Sequence, residues 1–354
     1  MQPDIKSLNK EELTQWCAEK DIKVYRAAQI MRWIYVKQVD AFDEMTDISL
    51  KTRQLLSDTF SFSSPEIKKT ATSADGSRKF LFELEDGNCI ETVLIPEKDH
   101  YTLCISTQVG CAMGCRFCMT ATSGLIRNLT QAEIVNQVIG VSKTVTGDKP
   151  LRNIVLMGMG EPLANYKNVI RALRIITDSD AGLQFSTRRV TLSTCGVISR
   201  FIDLGRDTRI NLAISLNATD NRTRSLLMPI NDKYPIEQLI QACVDYPLAP
   251  RNKITFEYIL IKDVNDSMEN ARQLAKLLRP VKAKINLIPF NEHPASDFRR
   301  PAESVVLKFQ SLLHDKGYTA VIRHSKGQDI AAACGQLSAQ QKQSADPMVD
   351  LEKT

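Results

Sequence analysis

Three cysteines within eight residues, Cys111, Cys115 and Cys118, hold the densest chemistry in this 354-residue chain. A Cys-x3-Cys-x2-Cys loop, bent with the help of Gly114, can wrap one iron–sulfur cluster, yet it supplies only three thiolates. A four-iron cubane held this way keeps one iron without a protein ligand. An open metal position is where chemistry happens, as the contrast between catalytic and structural zinc sites illustrates. A zinc site completed by Cys104 is the alternative, but zinc ligands usually come as two close pairs across a longer stretch, and this triple stands apart from any pair.

The stretch Cys111-Ala112-Met113-Gly114-Cys115-Arg116-Phe117-Cys118 resembles the signature of the radical S-adenosylmethionine (SAM) enzymes, in which the open iron binds the amino and carboxylate groups of SAM. Phe117, an aromatic before the last cysteine, fits that pattern. With Gln108-Val109-Gly110, Met119 to Gly124 and Arg127 to Thr130, the chain is similar to one branch: the bacterial adenine-C2 methyltransferases of ribosomal and transfer RNA. The likeness runs over nearly all of the sequence except about the last fifteen residues. It implies a [4Fe-4S] cluster, two SAM molecules per turnover, ribosomal RNA and transfer RNA (at an anticodon-adjacent adenine) as substrates, a flavodoxin-like electron donor and a thiol reductant.

Composition agrees with a soluble enzyme, and the protein is expected to be cytoplasmic and monomeric. With 43% apolar residues the chain can bury a substantial core, and it carries neither a secretory signal nor a membrane-length apolar run. Its nine unevenly spaced cysteines suit a reducing compartment. Charge is uneven: residues 1–100 carry 14 basic and 18 acidic side chains, whereas residues 101–200 carry 11 and 5. The basic excess includes Arg127, Lys149, Arg152, Arg188 and Arg189, with Arg299 and Arg300 later. Such groups can neutralise phosphate, although a net charge of +5 also suits an ordinary surface.

The elements that must position the cysteines follow from periodicity. Residues 1–72 read as a small helical accessory domain that in the resembling family helps dock RNA. Asn9 and Glu12 have capping-box spacing, Ala27, Ile30, Met31 and Ile34 make one apolar face, and a third helix spans about Ser49 to Phe60. Residues 73–99 form a β-hairpin extension, Arg78 to Glu85 and Cys89 to Ile95 joined at Asp86-Gly87. Residues 100–337 alternate strand-like runs (Thr102 to Thr107, Asn153 to Met159, Val190 to Thr194, Ile210 to Leu216, Ile254 to Ile261, Ile285 to Phe290) with amphipathic helices such as Thr130 to Val141. Six βα units predict an α/β fold, an incomplete (β/α)6 radical SAM barrel with an open side. Residues 338–354 read as a flexible polar tail.

Active sites of β/α barrels gather at the carboxyl ends of the strands, and the unusual residues fall there. The cysteine loop follows the first strand and Gly158-Met159-Gly160-Glu161-Pro162 ends the second. By resemblance, Gly160 and Glu161 hold the ammonium end of SAM, while Ser193, Ser215, Leu216, Asn217 and Asn291 contact its remaining amino-acid and ribose groups. Short hydroxyl and amide side chains can instead simply cap helices.

Two further thiols, Cys104 and Cys334, match catalytic cysteines of the same branch, whereas Cys17, Cys89, Cys195 and Cys243 read as packing. The chemistry gives both a use. An aromatic carbon is too poor a nucleophile to displace the methyl group of SAM, but a sulfur can. Cys334 is expected to store a methyl group whose carbon then joins adenine C2 as a radical, tethering RNA to protein until Cys104 attacks the Cys334 sulfur and forms a disulfide. Resemblance assigns removal of the C2 proton to Glu91, whose other reading is a solvent-facing strand carboxylate. Two alternatives stand beside this: methylation of adenine C8, of the antibiotic-resistance type, and a noncatalytic metal-dependent RNA-binding protein. The helical N-terminus, the region around Asn128 and Glu91 favour C2.

Overall fold

The computed structural model describes residues 2–64 and 66–338; beyond Ser338, the expected tail lies outside the described residues. The strands are β1 Glu66–Thr72, β2 Arg78–Glu83, β3 Cys89–Pro96, β4 Tyr101–Cys104, β5 Gln108–Gly110, β6 Leu125–Asn128, β7 Leu151–Leu156, β8 Val190–Thr194, β9 Asn211–Ser215, β10 Ile254–Leu260, β11 Ala283–Pro289 and β12 Ala320–Ile322. Ten form one mixed sheet in the order β1-β2-β3-β4-β7-β8-β9-β10-β11-β12, and β5 pairs with β6 apart from it. From β4 onward every neighbour in that sheet is parallel; β1 to β4 pair antiparallel. The two edge strands do not pair with each other, so the barrel stays open.

The structure corrects the sequence expectation in two places. The parallel part has a seventh strand, β12, whose three residues are too few to show a period. Residues 66–72, expected within the helical segment, form a strand on the far edge of the extension, where Ile67, Thr70 and Thr72 suit extended backbone and the exposed Lys68 and Lys69 guard the edge.

Alternation along β10 explains how the barrel separates core from lumen. Ile254, Phe256, Tyr258 and Leu260 join the main apolar core with helices such as Met268–Leu277 and Glu303–Asp315, while Thr255, Glu257 and Ile259 face the opposite side. A second apolar cluster, including Phe117, Leu227, Met228, Ile259, Ile288 and Phe290, lies around the cysteine loop.

The amino-terminal helices Lys10–Glu19, Tyr25–Met31 and Leu50–Thr59 are as spaced in the sequence: Asn9 and Glu12 exchange 2.8 Å bonds, and Ala27, Ile30, Met31 and Ile34 are buried. Arg171 on a barrel helix donates to Glu12 at 2.8 Å, and Lys6 donates to Asn136 at 2.9 Å, fastening this unit to the barrel. No helix among the described residues is long and apolar enough to cross a membrane.

Candidate active site

The cysteine loop leaves β5 through a turn that demands glycine. Gly110 has φ +75°, and a Cβ there would stand 1.9 Å from the Gly124 carbonyl, which itself accepts the Cys111 N–H at 2.8 Å. Gly114, φ +67°, bends the loop against Pro229. Cys118 lies near enough to Cys111 and Cys115 to oppose their ionisation. Burial, the neighbouring thiols and Glu161 push Cys111 up to about 11 and Cys115 further. Such a set is held as thiolates only by a cation, and its sulfur-only composition matches an iron–sulfur cluster. Among the described residues no three His, Cys, Asp or Glu side chains are gathered closely enough to hold a single metal ion. A four-iron cluster asks instead for one thiolate on each of three irons, which Cys111, Cys115 and Cys118 would supply.

The Gly158–Pro162 segment rides directly on the first strand's extension. Thr107 and Gln108 N–H groups donate to Met159 O at 2.8 and 3.2 Å, and a Cβ on Gly160, φ +98°, would overlap Gln108. Glu161 is buried, and burial raises its carboxyl pKa. One oxygen accepts from Leu163 N at 3.0 Å and the other from Cys195 N at 2.8 Å, so the carboxylate braces the strand ends as well as facing the cysteine loop. Ser193 and Ser215 sit half-buried near the carboxyl ends of β8 and β9. Leu216 and Asn217 are completely buried; Asn217 adopts φ +58° and its side chain bonds Ile259 N and the Met228 sulfur. Their side chains are turned into the protein and their carbonyls are engaged as well, Leu216 O by Arg224 at 3.2 Å and Asn217 O by Asn265 at 2.7 Å.

Cys104 and Cys334 come near enough across the fold for the first thiol to raise the pKa of the second. Cys104 is buried at the end of β4, and burial pushes its thiol up to about 12. Cys334 is reached by solvent yet walled in by protein, and its thiol is also pushed up to about 12, chiefly by desolvation, then by Cys104, Glu257 and Cys118 around it. No disulfide joins any of the nine cysteines.

The segment bearing Cys334 has little regular structure and is held from two sides. On the cysteine-loop side, Met119 N donates to Gly335 O at 2.7 Å, Thr120 Oγ1 to Leu337 O at 2.6 Å, and Asn291 Nδ2 to Cys334 O at 3.2 Å. On the extension side, Asp329 accepts from Ser73 Oγ at 2.6 Å and Ala74 N at 3.1 Å, Asp75 accepts from Gly327 N at 2.8 Å, and Lys79 donates to Ala331 O at 3.1 Å. Glu91 lies buried between Lys79 Nζ and Ser338 N, both at 2.9 Å, rather than facing solvent. Asn291 and Glu91, singled out for ligand and proton, are thus also anchors of the Cys334 segment.

Sequence reasoning missed Lys79, Asp75, Asp329, Arg224 and Glu257. Glu257 left a signal: a carboxylate inside the apolar run Ile254 to Ile261. It accepts from Asn286 at 2.9 Å, and burial raises its pKa to about 7. The basic excess also looks different in space. Arg127 is tied to Asp86 and Glu133 and Arg152 to Asp99, while Arg188 and Arg189 precede β8, at the end of the barrel away from the cysteines. Arg116, Lys262, Arg299 and Arg300 are among the exposed cations on loops at the cysteine end.

These features define a radical SAM enzyme: residues 105–275 match the Radical SAM superfamily, and residues 3–61 match the ribosomal RNA large subunit methyltransferase N-terminal domain. The chain is 57% identical to the dual-specificity RNA methyltransferase RlmN of Desulfosudis oleivorans, over 95% of this chain and 91% of that one, and 53% identical to the RlmN of Syntrophotalea carbinolica, over 94% and 89%. A crystal structure of a radical SAM methyltransferase from Sphaerobacter thermophilus superposes with a TM-score of 0.88 at 40% identity, covering 96% of this chain and all of that one. The chain belongs to the RlmN family of radical SAM methyltransferases.

Proposed function

We propose that this protein methylates C2 of adenine in large-subunit ribosomal RNA and in transfer RNA, through a methyl group carried on Cys334. The observation that carries the reading is the meeting of Cys334, Cys104 and Cys118, two candidate catalytic sulfurs and one cluster ligand drawn from distant parts of the chain. Membership of a family whose relatives are named dual-specificity RNA methyltransferases supports the two RNA classes.

When bound, the cluster supplies the electron that turns SAM into a source of a hydrogen-abstracting carbon radical. Cys334, as a thiolate, takes the methyl group of one SAM and releases S-adenosylhomocysteine. Loss of one hydrogen atom from that methyl lets its carbon bond to C2. The adduct must lose one electron, which a cluster held by Cys111, Cys115 and Cys118 would take back, and Glu91 accepts the C2 proton. Cys104, as a thiolate, then attacks the Cys334 sulfur, forming the S–S bond as the C–S bond breaks; the departing methylene carbon keeps the bonding pair and takes up a proton to become the methyl group, and an external thiol reduces the pair. Ser193, Ser215, Asn291 and the Gly160-Glu161 turn hold SAM, and Arg116, Lys262, Arg299 and Arg300 offer phosphate contacts at the mouth. The reading further takes the protein to work in the cytoplasm as a monomer fed by a flavodoxin-like donor, with two SAM molecules consumed per turnover.

The test is anaerobic incubation of reconstituted protein with unmodified RNA fragments and labelled SAM, followed by nucleoside mass spectrometry. Methyl on C8 would replace the C2 assignment. Cys104→Ala should accumulate an RNA–protein crosslink that depends on SAM and Cys334. Normal product without crosslink removes Cys104 from the reaction.

A further inference from the structure

Arg224 is a completely buried arginine with no acidic partner among the described residues. It lies on the helix Asn221–Leu227, which packs directly on the cysteine loop: Arg116 N donates to Leu227 O at 3.0 Å, and a Cβ on Gly114 would touch Pro229 at 3.5 Å. Its guanidinium donates to main-chain carbonyls of Cys195 at 2.7 Å, Leu216 at 3.2 Å and Ser215 at 3.4 Å, and to Asn231 Oδ1 at 3.2 Å. Every one of these partners is neutral. Among the described residues Arg224 forms no ion pair, and the ionisable groups that act on it are the thiols of Cys195, Cys115 and Cys243. A buried cation is costly unless an opposite charge lies close by, and neutral thiols provide none.

We propose that Arg224 is the fixed positive charge that offsets an anionic iron–sulfur cluster bound through Cys115, and thereby sets how readily that cluster accepts an electron. The inference rests on the cluster reading and is independent of the methyl relay. Three thiolates give the cluster a net negative charge, which one-electron reduction makes more negative, so a nearby cation favours the reduced form. Arg224 is a positioning residue too, since its carbonyl partners lie at the ends of β8 and β9, where Ser193 and Ser215 sit. The two roles separate experimentally: a bracing role alone moves stability and cluster content, whereas the charge moves the potential.

The experiment is a potentiometric titration of the anaerobically reconstituted full chain, with dithionite as reductant and the reduced cluster read by electron paramagnetic resonance. Two neutralising variants are used. Arg224→Gln removes the charge while keeping donors, and Asn231→Asp leaves Arg224 in place but gives it an internal counterion at nearly constant shape. Each should lower the reduced-to-oxidised ratio at fixed potential by about tenfold, the order of effect that one unit charge exerts through a medium of effective dielectric near 20. For a one-electron couple that is a downward shift of about 59 mV. Arg224→Lys should stay near wild type. A wild-type protein with no reducible cluster overturns the cluster reading itself. A reducible cluster whose midpoint is the same in wild type and in either neutralising variant overturns the role of Arg224 alone.

Discussion

Replacing Glu257 with glutamine tests the electrostatics of the lumen at a defined point. The carboxyl sits on β10 with Asn286 bonded to it at 2.9 Å, Arg323 and Lys284 close enough to favour its charge, and Cys334 facing it. Burial nevertheless dominates and lifts its pKa from 4.5 to about 7. The sign follows from proton binding: between those values the folded chain keeps a proton that the unfolded chain has lost, so stability falls as pH rises. The contribution is intact below about pH 4.5 and its loss levels off above about 7, reaching about 3 kcal/mol at 1.36 kcal/mol per pH unit. Glutamine can still accept from Asn286 but cannot ionise. Urea titrations at pH 5 and pH 8 should therefore show wild type losing about 2–3 kcal/mol more than Glu257→Gln across that interval. The same variant removes a negative neighbour of Cys334, so the thiol should ionise more easily and alkylate faster with iodoacetamide at pH 8. Parallel stability curves, together with unchanged alkylation, would refute the placement of a desolvated carboxyl beside Cys334.

Two other substitutions probe the supports of the site. Gly110→Ala forces a Cβ to within 1.9 Å of the Gly124 carbonyl at φ +75°, and should cost about 1–3 kcal/mol and lower bound iron and sulfide per chain; full cluster content at wild-type melting temperature would contradict the tight turn. Asp329→Ala deletes the acceptors for Ser73 and Ala74, and hydrogen exchange should quicken over residues 327–337 while β7 to β10 keep their protection; unchanged exchange there would show that the extension does not hold the segment.

What the sequence made legible was local. The Asn9–Glu12 and Thr130–Glu133 capping boxes, the Asp86-Gly87 turn and strand β8 needed only neighbouring residues, and each is found where its spacing predicts. The cysteine loop was legible for the same reason. What stayed hidden depends on residues far apart in sequence: that Lys79 and Asp75 grip the Cys334 segment, that Arg224 reaches the Cys195 carbonyl, and that Arg127 spends its charge on Asp86 and Glu133. Resemblance places Asn217 at SAM, and its side chain accepts from Ile259 N on the neighbouring strand, a contact between residues 42 positions apart. No spacing rule carries that information.

The antiparallel extension makes sense through the Cys334 segment. On the proposed role Cys334 meets SAM, the base and Cys104 in turn, a task ill suited to a barrel strand, which fixes its side chains against one set of neighbours. A segment whose only regular element among the described residues is the short 3₁₀ helix Gln328–Ile330 is free of that constraint, but ordering it costs conformational entropy. The fold supplies contacts from outside. Asp75, Lys79 and Glu91 come from the loop before β2, from β2 and from β3, while Met119, Thr120 and Asn291 come from the cysteine loop and the end of β11. Pinning the segment at both sides leaves Cys334, which solvent still reaches, between Cys104 and the cysteine loop. The extension and the barrel are therefore two halves of one clamp, and weakening either half should loosen Cys334 before it unfolds the barrel.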